Sequence, residues 1–137
     1  MDCDAFFDRV EDRLGGAVER STRTRTSHQC VFDFFHPRTT ERLGADGLVT
    51  AFNRSGVVWA PPARRLGVQL RVPAAVEESV ARALAAAPFP AERTDHRGAA
   101  APDGEMVSLV HFAVRASDVT DDQLTATLDA VADAVRI

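Results

Sequence analysis

Residues 106–114 read MVSLVHFAV, and this run constrains the fold more than any other part of the chain. In a strand, successive side chains point to opposite faces. Here both faces are apolar, so the run predicts a central strand in a sheet that is covered on both sides. The rest of the chain must supply strands to flank it and helices to cover it.

The covering helices are legible at three places. Behind the apolar run, Thr120 is placed to cap a helix, and Gln123 three residues later completes a capping box. Val119 and Leu124 can form the accompanying hydrophobic staple, and Asp121 and Asp122 suit the helix dipole. Leu124, Leu128, Val131 and Val135 then make one apolar stripe. A second amphipathic pattern covers 4–19, with Phe6, Val10 and Leu14 on one side and Asp8, Arg9, Asp12 and Arg13 on the other. Asp2 or Asp4 can cap it, Gly15-Gly16 weakens its last turn, and Cys3 falls in the frayed end. The third spans 74–87, on Val76, Val80, Leu84 and Ala87, and stops at Pro88 and Pro90.

Flanking strands are expected at 29–35, at 66–72, and as a hairpin with arms 48–52 and 57–60 around Asn53–Gly56. In 66–72, Val68, Leu70 and Val72 point one way and Gln69 and Arg71 the other, the pattern of a half-buried strand. Residues 91–104 hold a mobile loop, or a poor edge strand near 92–97 followed by a loop, and 21–27 is a loop or the exposed start of the next strand. Pro37 ends the 29–35 element in an exposed His36-Pro37-Arg38 turn. The order is α-β-β-β-β-α-(β)-β-α. That is an α+β fold with a mostly antiparallel sheet and N-terminal, middle and C-terminal helices, in a single domain over 1–137.

Composition narrows the function. All sixteen basic residues are arginine, and the chain has no lysine. Schiff-base chemistry and the phosphate-binding lysine of a P-loop are therefore excluded. A net charge of -4 argues against nucleic acid as the main ligand. No apolar run approaches the roughly 18 residues of a membrane span. The opening MDCDAFFDRVEDR is acidic and lacks the apolar segment of a secretory leader, so a cytoplasmic protein is expected. Two cysteines are too few for a disulfide framework.

The stretch HQCVFDFFH, 28–36, brings His28, Cys30, Phe32, Phe34 and His36 to one face if extended. His28 and Cys30, roughly 6–7 Å apart, could share a metal or form a thiol and its base, whereas His36 lies roughly 20 Å from Cys30. Further ligands would have to come from His96, His111 or an acid, and no CxxC or HxxxH spacing supplies them. Phe32 and Phe34 turn the same face toward a core. No metal and no cofactor is expected. If the chain is an enzyme, His28, Cys30 and His111 are its candidate catalytic residues. Its partner-binding candidates are Phe52, Val58 and Trp59 in the hairpin arms, with Arg64 and Arg65 beside them. The arginines have a competing internal match in Asp118, Asp121, Asp122, Asp129 and Asp133 along the last helix.

The segment VSLVHFAVRASDVTDDQLTATLDAVADAV resembles the tail of YbjN-like domains, which share a fold with the bacterial type III secretion chaperones. The likeness lies in a strand leading into a Thr-capped helix, with V-T-x-x-Q-L-x-x-x-L at Val119 to Leu128. It covers about the last thirty residues. The resemblance implies a small, acidic, usually dimeric protein that holds a segment of a partner protein. A non-enzymatic chaperone-like homodimer is therefore one expected function. The other is a small tailoring enzyme or accessory protein of a biosynthetic pathway.

Overall fold

The computed structural model describes residues 1–47 and 53–137. In chain order its elements are α1 (Cys3–Leu14), β1 (Glu19–Arg25), β2 (Cys30–Phe35), α2 (Pro37–Gly47), β3 (Ser55–Ala60), β4 (Arg65–Pro73), α3 (Glu77–Leu84), β5 (Glu92–Ala100), β6 (Met106–Ala116) and α4 (Asp121–Val135). The described strands form one six-stranded sheet in the order β1-β2-β3-β4-β6-β5, and every neighbouring pair is antiparallel. The α+β class and the three expected helices are present.

One sheet face carries the main core. Phe32 and Phe34, Val57 and Trp59, Leu66 to Val72 at every second position, and Val110, Phe112 and Val114 all point to it. Phe6, Val10 and Leu14 of α1, Val80 and Leu84 of α3, and Leu124, Leu128 and Val131 of α4 cover them. Each such side chain, once buried, contributes about 1.5–3 kcal/mol. The Thr120 capping box forms as its sequence predicts, with Gln123 N–H donating to Thr120 Oγ1 at 3.1 Å and Thr120 N–H to Gln123 Oε1 at 2.9 Å. Asp2 caps α1 by accepting from Ala5 N–H at 2.9 Å.

Cys3 is not in a frayed end. It opens α1 and is disulfide-bonded to Cys30, closing a separation of 27 residues. Sequence spacing gives no signal for a single pair joining a helix to a strand.

A second departure is α2. Pro37 does not end an element in a turn; it starts a helix. Proline is well suited to a first helical position, where its missing N–H costs nothing. The helix gave little periodic signal because Thr39 and Leu43, four apart, are its buried residues among those described, and it kinks at Gly44 (φ 69°). Leu43 packs with Phe35, Val107, Leu109 and Ala101. This second, smaller cluster covers one end of the opposite sheet face. β6 is therefore interior, between β4 and β5, yet its second face is buried at Val107 and Leu109 and only half-buried at His111 and Ala113. The expected arm 48–52 lies outside the described residues. The arm at 57–60 is part of β3, which pairs with β2 and β4, and the tight β3–β4 connection runs through Pro61–Ala63.

β1 is an edge strand with no buried side chain among those described, which is why its sequence looks like a loop. It is tied to α1 by Arg23–Glu11 and Arg25–Asp4 ion pairs.

His36, expected to be exposed, is fully buried. Its Nδ1 accepts from Arg38 N–H at 3.1 Å, so the neutral ring carries its proton on Nε2 and donates it to Ala134 O at 2.9 Å. The ring thus serves the start of α2 and an end carbonyl of α4 together. Burial holds the imidazole below its usual pKa of 6.5; the Ala134 carbonyl opposes the shift and Arg38 adds to it. Below 6.5 the unfolded chain takes up a proton that the folded chain resists. This contribution to stability is complete above pH 6.5 and is lost as pH falls toward the folded pKa, by at most about 1.4 kcal/mol per unit. The expected result is a His36 NMR titration midpoint below 6.5 and a lower urea midpoint at pH 5.5 than at pH 7.5. A His36 midpoint at or above 6.5 would contradict this assignment.

Candidate functional site: the uncovered sheet face

Beyond the patch under α2, the second face of the sheet has no described element over it. Strand register places its residues in rows. Asp33 pairs with Gly56, Gly56 with Gln69, Gln69 with Ala113, and Ala113 with Glu92. One row along, Val31, Val58, Gly67 and Arg115 follow each other in the same way. On the other side Arg71 pairs with His111, and His111 with Thr94, whose Oγ1 lies 3.5 Å from His111 Nδ1.

A cleft of about 220 Å³ opens in this face, lined by Asp33, Arg54, Gly56, Val58, Gln69 and Arg71. Gly56 makes room for it: a Cβ there would stand 2.7 Å from Asp33 Oδ1. Arg54 Nη1 lies 3.5 Å from Asp33 Oδ2, and the Arg54 guanidinium sits 6.0 Å from the centroid of Phe35. Arg71 Nη1 donates to Arg54 O at 2.8 Å, Arg71 N–H donates to Ser55 Oγ at 3.0 Å, and Thr39 Oγ1 donates to Arg71 O at 2.9 Å. These bonds fix Arg71 at the base of the cleft. Burial raises the Asp33 carboxyl above its usual range, with Arg54 opposing that shift, and burial lowers the Arg71 guanidinium. The cleft therefore holds both signs of charge with reduced access to water.

The three expected catalytic residues do not meet. His28 is exposed in the β1–β2 turn, where its backbone N–H donates to Thr26 Oγ1 at 3.3 Å. Cys30 is buried on the core face, opposite Trp59 in the β2–β3 register, and has no thiol to offer because it is disulfide-bonded. His111 lies on the other face of the sheet. A Cys30 nucleophile is thereby overturned. Among the described residues no three His, Cys, Asp or Glu side chains gather as metal ligands.

The expected partner-binding residues also separate. Trp59 is fully buried, stacked on Phe6 at 6.2 Å and 11°, with Nε1–H donating to Met1 O at 3.0 Å. It is core and not part of a docking strip. Alternation along the arm sends Val58, half-buried, to the uncovered face instead. Arg64 is bound internally: Nε donates to Val119 O at 2.6 Å, the guanidinium pairs with Asp121, and it lies 5.3 Å from the Trp59 ring centroid. The internal acids of the last helix are its match. Arg65 is exposed, and Phe52 is outside the described residues.

The cleft residues were partly signalled. Gln69 and Arg71 occupy the polar side of an alternating strand, and Asp33 interrupts the apolar run CVFDFF. What sequence could not supply is the register that sets them side by side. No family model, no curated protein and no solved structure matches this chain.

Proposed function

We propose that this protein is a non-enzymatic, chaperone-like binding module that holds a segment of a cognate partner protein against the uncovered sheet face. The observation that carries the reading is the asymmetry of the sheet. Helices α1, α3 and α4 close one face, while the other presents Asp33, Arg54, Val58, Gln69 and Arg71 around an open cleft. Dispersed polar groups on a rigid sheet suit recognition of an extended chain. The strand β6 leading into the Thr-capped α4 supports the YbjN-like, type III secretion chaperone-like reading, and with it a homodimer. The enzyme alternative loses its support where His28, Cys30 and His111 part.

No described helix is long and apolar enough to cross a membrane. The cytoplasmic location expected from sequence sits poorly with the Cys3–Cys30 bond, since such bonds persist mainly in oxidising compartments. The bond supports action in an oxidising compartment.

A photo-reactive phenylalanine analogue in place of Gln69, in the native host, is expected to give one discrete cross-linked protein. The same analogue at the exposed Glu78 of α3 is expected to give none. No product from Gln69, or equal products from both, would overturn the reading. A mass of one 14.8 kDa chain by light scattering at micromolar concentration would remove the homodimer from it.

A further inference from the structure

We infer that the uncovered face takes an acidic, extended segment of the partner, with carboxylates four residues apart meeting the Arg54–Arg71 pair and Arg115. This rests on the binding-module reading and names the chemistry of what is bound.

Charge is divided between the two sides of the molecule. The helices over the closed face carry four acids in α1, two in α3 and four in α4, against three arginines. Among its described residues the uncovered face reverses this balance: Arg54, Arg71 and Arg115 outnumber Asp33 and Glu92. Asp33 already has Arg54 beside it. On a chain of net charge -4, this face is the one that attracts an anion.

Spacing sets the register. Arg115 pairs with Gly67, four residues along β4 from Arg71, or about 13 Å at strand rise. An extended segment lying along β4 brings every fourth side chain to that same separation. Gly56 and Gly67 keep the floor between these arginines low, so the segment can approach the sheet. Arg71 is a partly desolvated guanidinium, so a carboxylate beside it is stabilised more than it would be in open water. The free edge at β1 suits strand addition less, because Arg23 and Arg25 stand along it, paired to α1.

The test uses the intact, oxidised protein and a fluorescent decapeptide of alternating Glu and Thr, followed by anisotropy. Saturable binding is expected in low salt, weakening steeply at 0.5 M salt as screening sets in. Arg54→Glu and Gln69→Glu should each weaken binding at least tenfold, and the milder Arg54→Gln severalfold. Asp33→Asn should tighten it. Arg82→Glu on α3 changes the net charge as much as Arg54→Glu does and should leave binding within twofold. Urea midpoints confirm that each variant folds. The inference is overturned by absent saturable binding, by an equal loss in Arg82→Glu, or by a self-assembly that the peptide displaces, which would make the occupant a second copy. A host cross-link from Gln69 alongside an unbound peptide would retire the acidic segment and leave the binding module standing. A bound peptide without any host cross-link would overturn the binding module and, with it, the partner's segment, leaving only a face that attracts acidic peptides.

Discussion

Replacing Cys3 and Cys30 together by alanine is expected to lower the unfolding free energy by about 3.5 kcal/mol. The figure follows from the loop-closure entropy that a crosslink across 27 residues removes from the unfolded chain. For a domain of this size that is a fall of roughly 10 °C in Tm. The bond joins the first residue of α1 to the first residue of β2, so its loss acts on the helix that closes one end of the core. Reducing the unmodified protein with a dithiol should reproduce the effect, and the double variant should ignore the reductant. Trp59 reports both experiments, because it is the only tryptophan and its emission shifts red once it leaves the core. Iodoacetamide labelling of Cys30 in native, unreduced protein would show that the bond does not exist, and would reopen the thiol as a reactive group.

The disulfide marks the limit of what single-chain patterns can carry. Periodicity located α1, α3, α4, β2, β4 and β6, because each buries a regular face against the core. Even the capping box at Thr120 and Gln123 was readable, since capping is local chemistry. What could not be read was whatever depends on a distant partner. β1 has no buried side chain among those described and exists because β2 offers it a ladder. α2 shows little beyond Thr39 and Leu43, so its helical period is nearly silent. His36 looked exposed beside Pro37 and Arg38, yet the end of α4, almost a hundred residues later, encloses it.

The candidate site followed the same rule. Gln69 and Arg71 were placed on the polar side of their strand by alternation alone. The neighbours that turn them into a cleft, Asp33 and Gly56, come from strand pairings that no local spacing encodes. Trp59 shows the opposite error. Its place in a hairpin arm made it a partner-binding candidate, but alternation within β3 decides its direction: Val57 and Trp59 face the core and Val58 faces the cleft.

Trp59→Ala is accordingly expected to destabilise the protein by about 3–5 kcal/mol, the cost of emptying a large aromatic site in a close-packed core. Three contacts disappear together: the Phe6 stack, the indole donor to Met1 O, and the ring under Arg64. Trp59→Phe keeps most of the apolar volume and should cost about 1–2 kcal/mol, largely because the Met1 carbonyl loses its donor. Far-UV circular dichroism in urea measures both, as the fluorescent probe is gone. A docking residue would behave otherwise, with stability unchanged within about 0.5 kcal/mol and the Gln69 cross-link lost. Cys30 lies directly opposite Trp59 in the β2–β3 register, so the disulfide and the indole support the same corner of the core. Their effects should couple and not simply add. Even with that coupling, removing Cys3, Cys30 and Trp59 together brings the loss close to the roughly 5–15 kcal/mol that holds a domain folded. The triple variant is expected to be largely unfolded without denaturant, and a cooperative urea transition from it would show that this corner is not where the fold is secured.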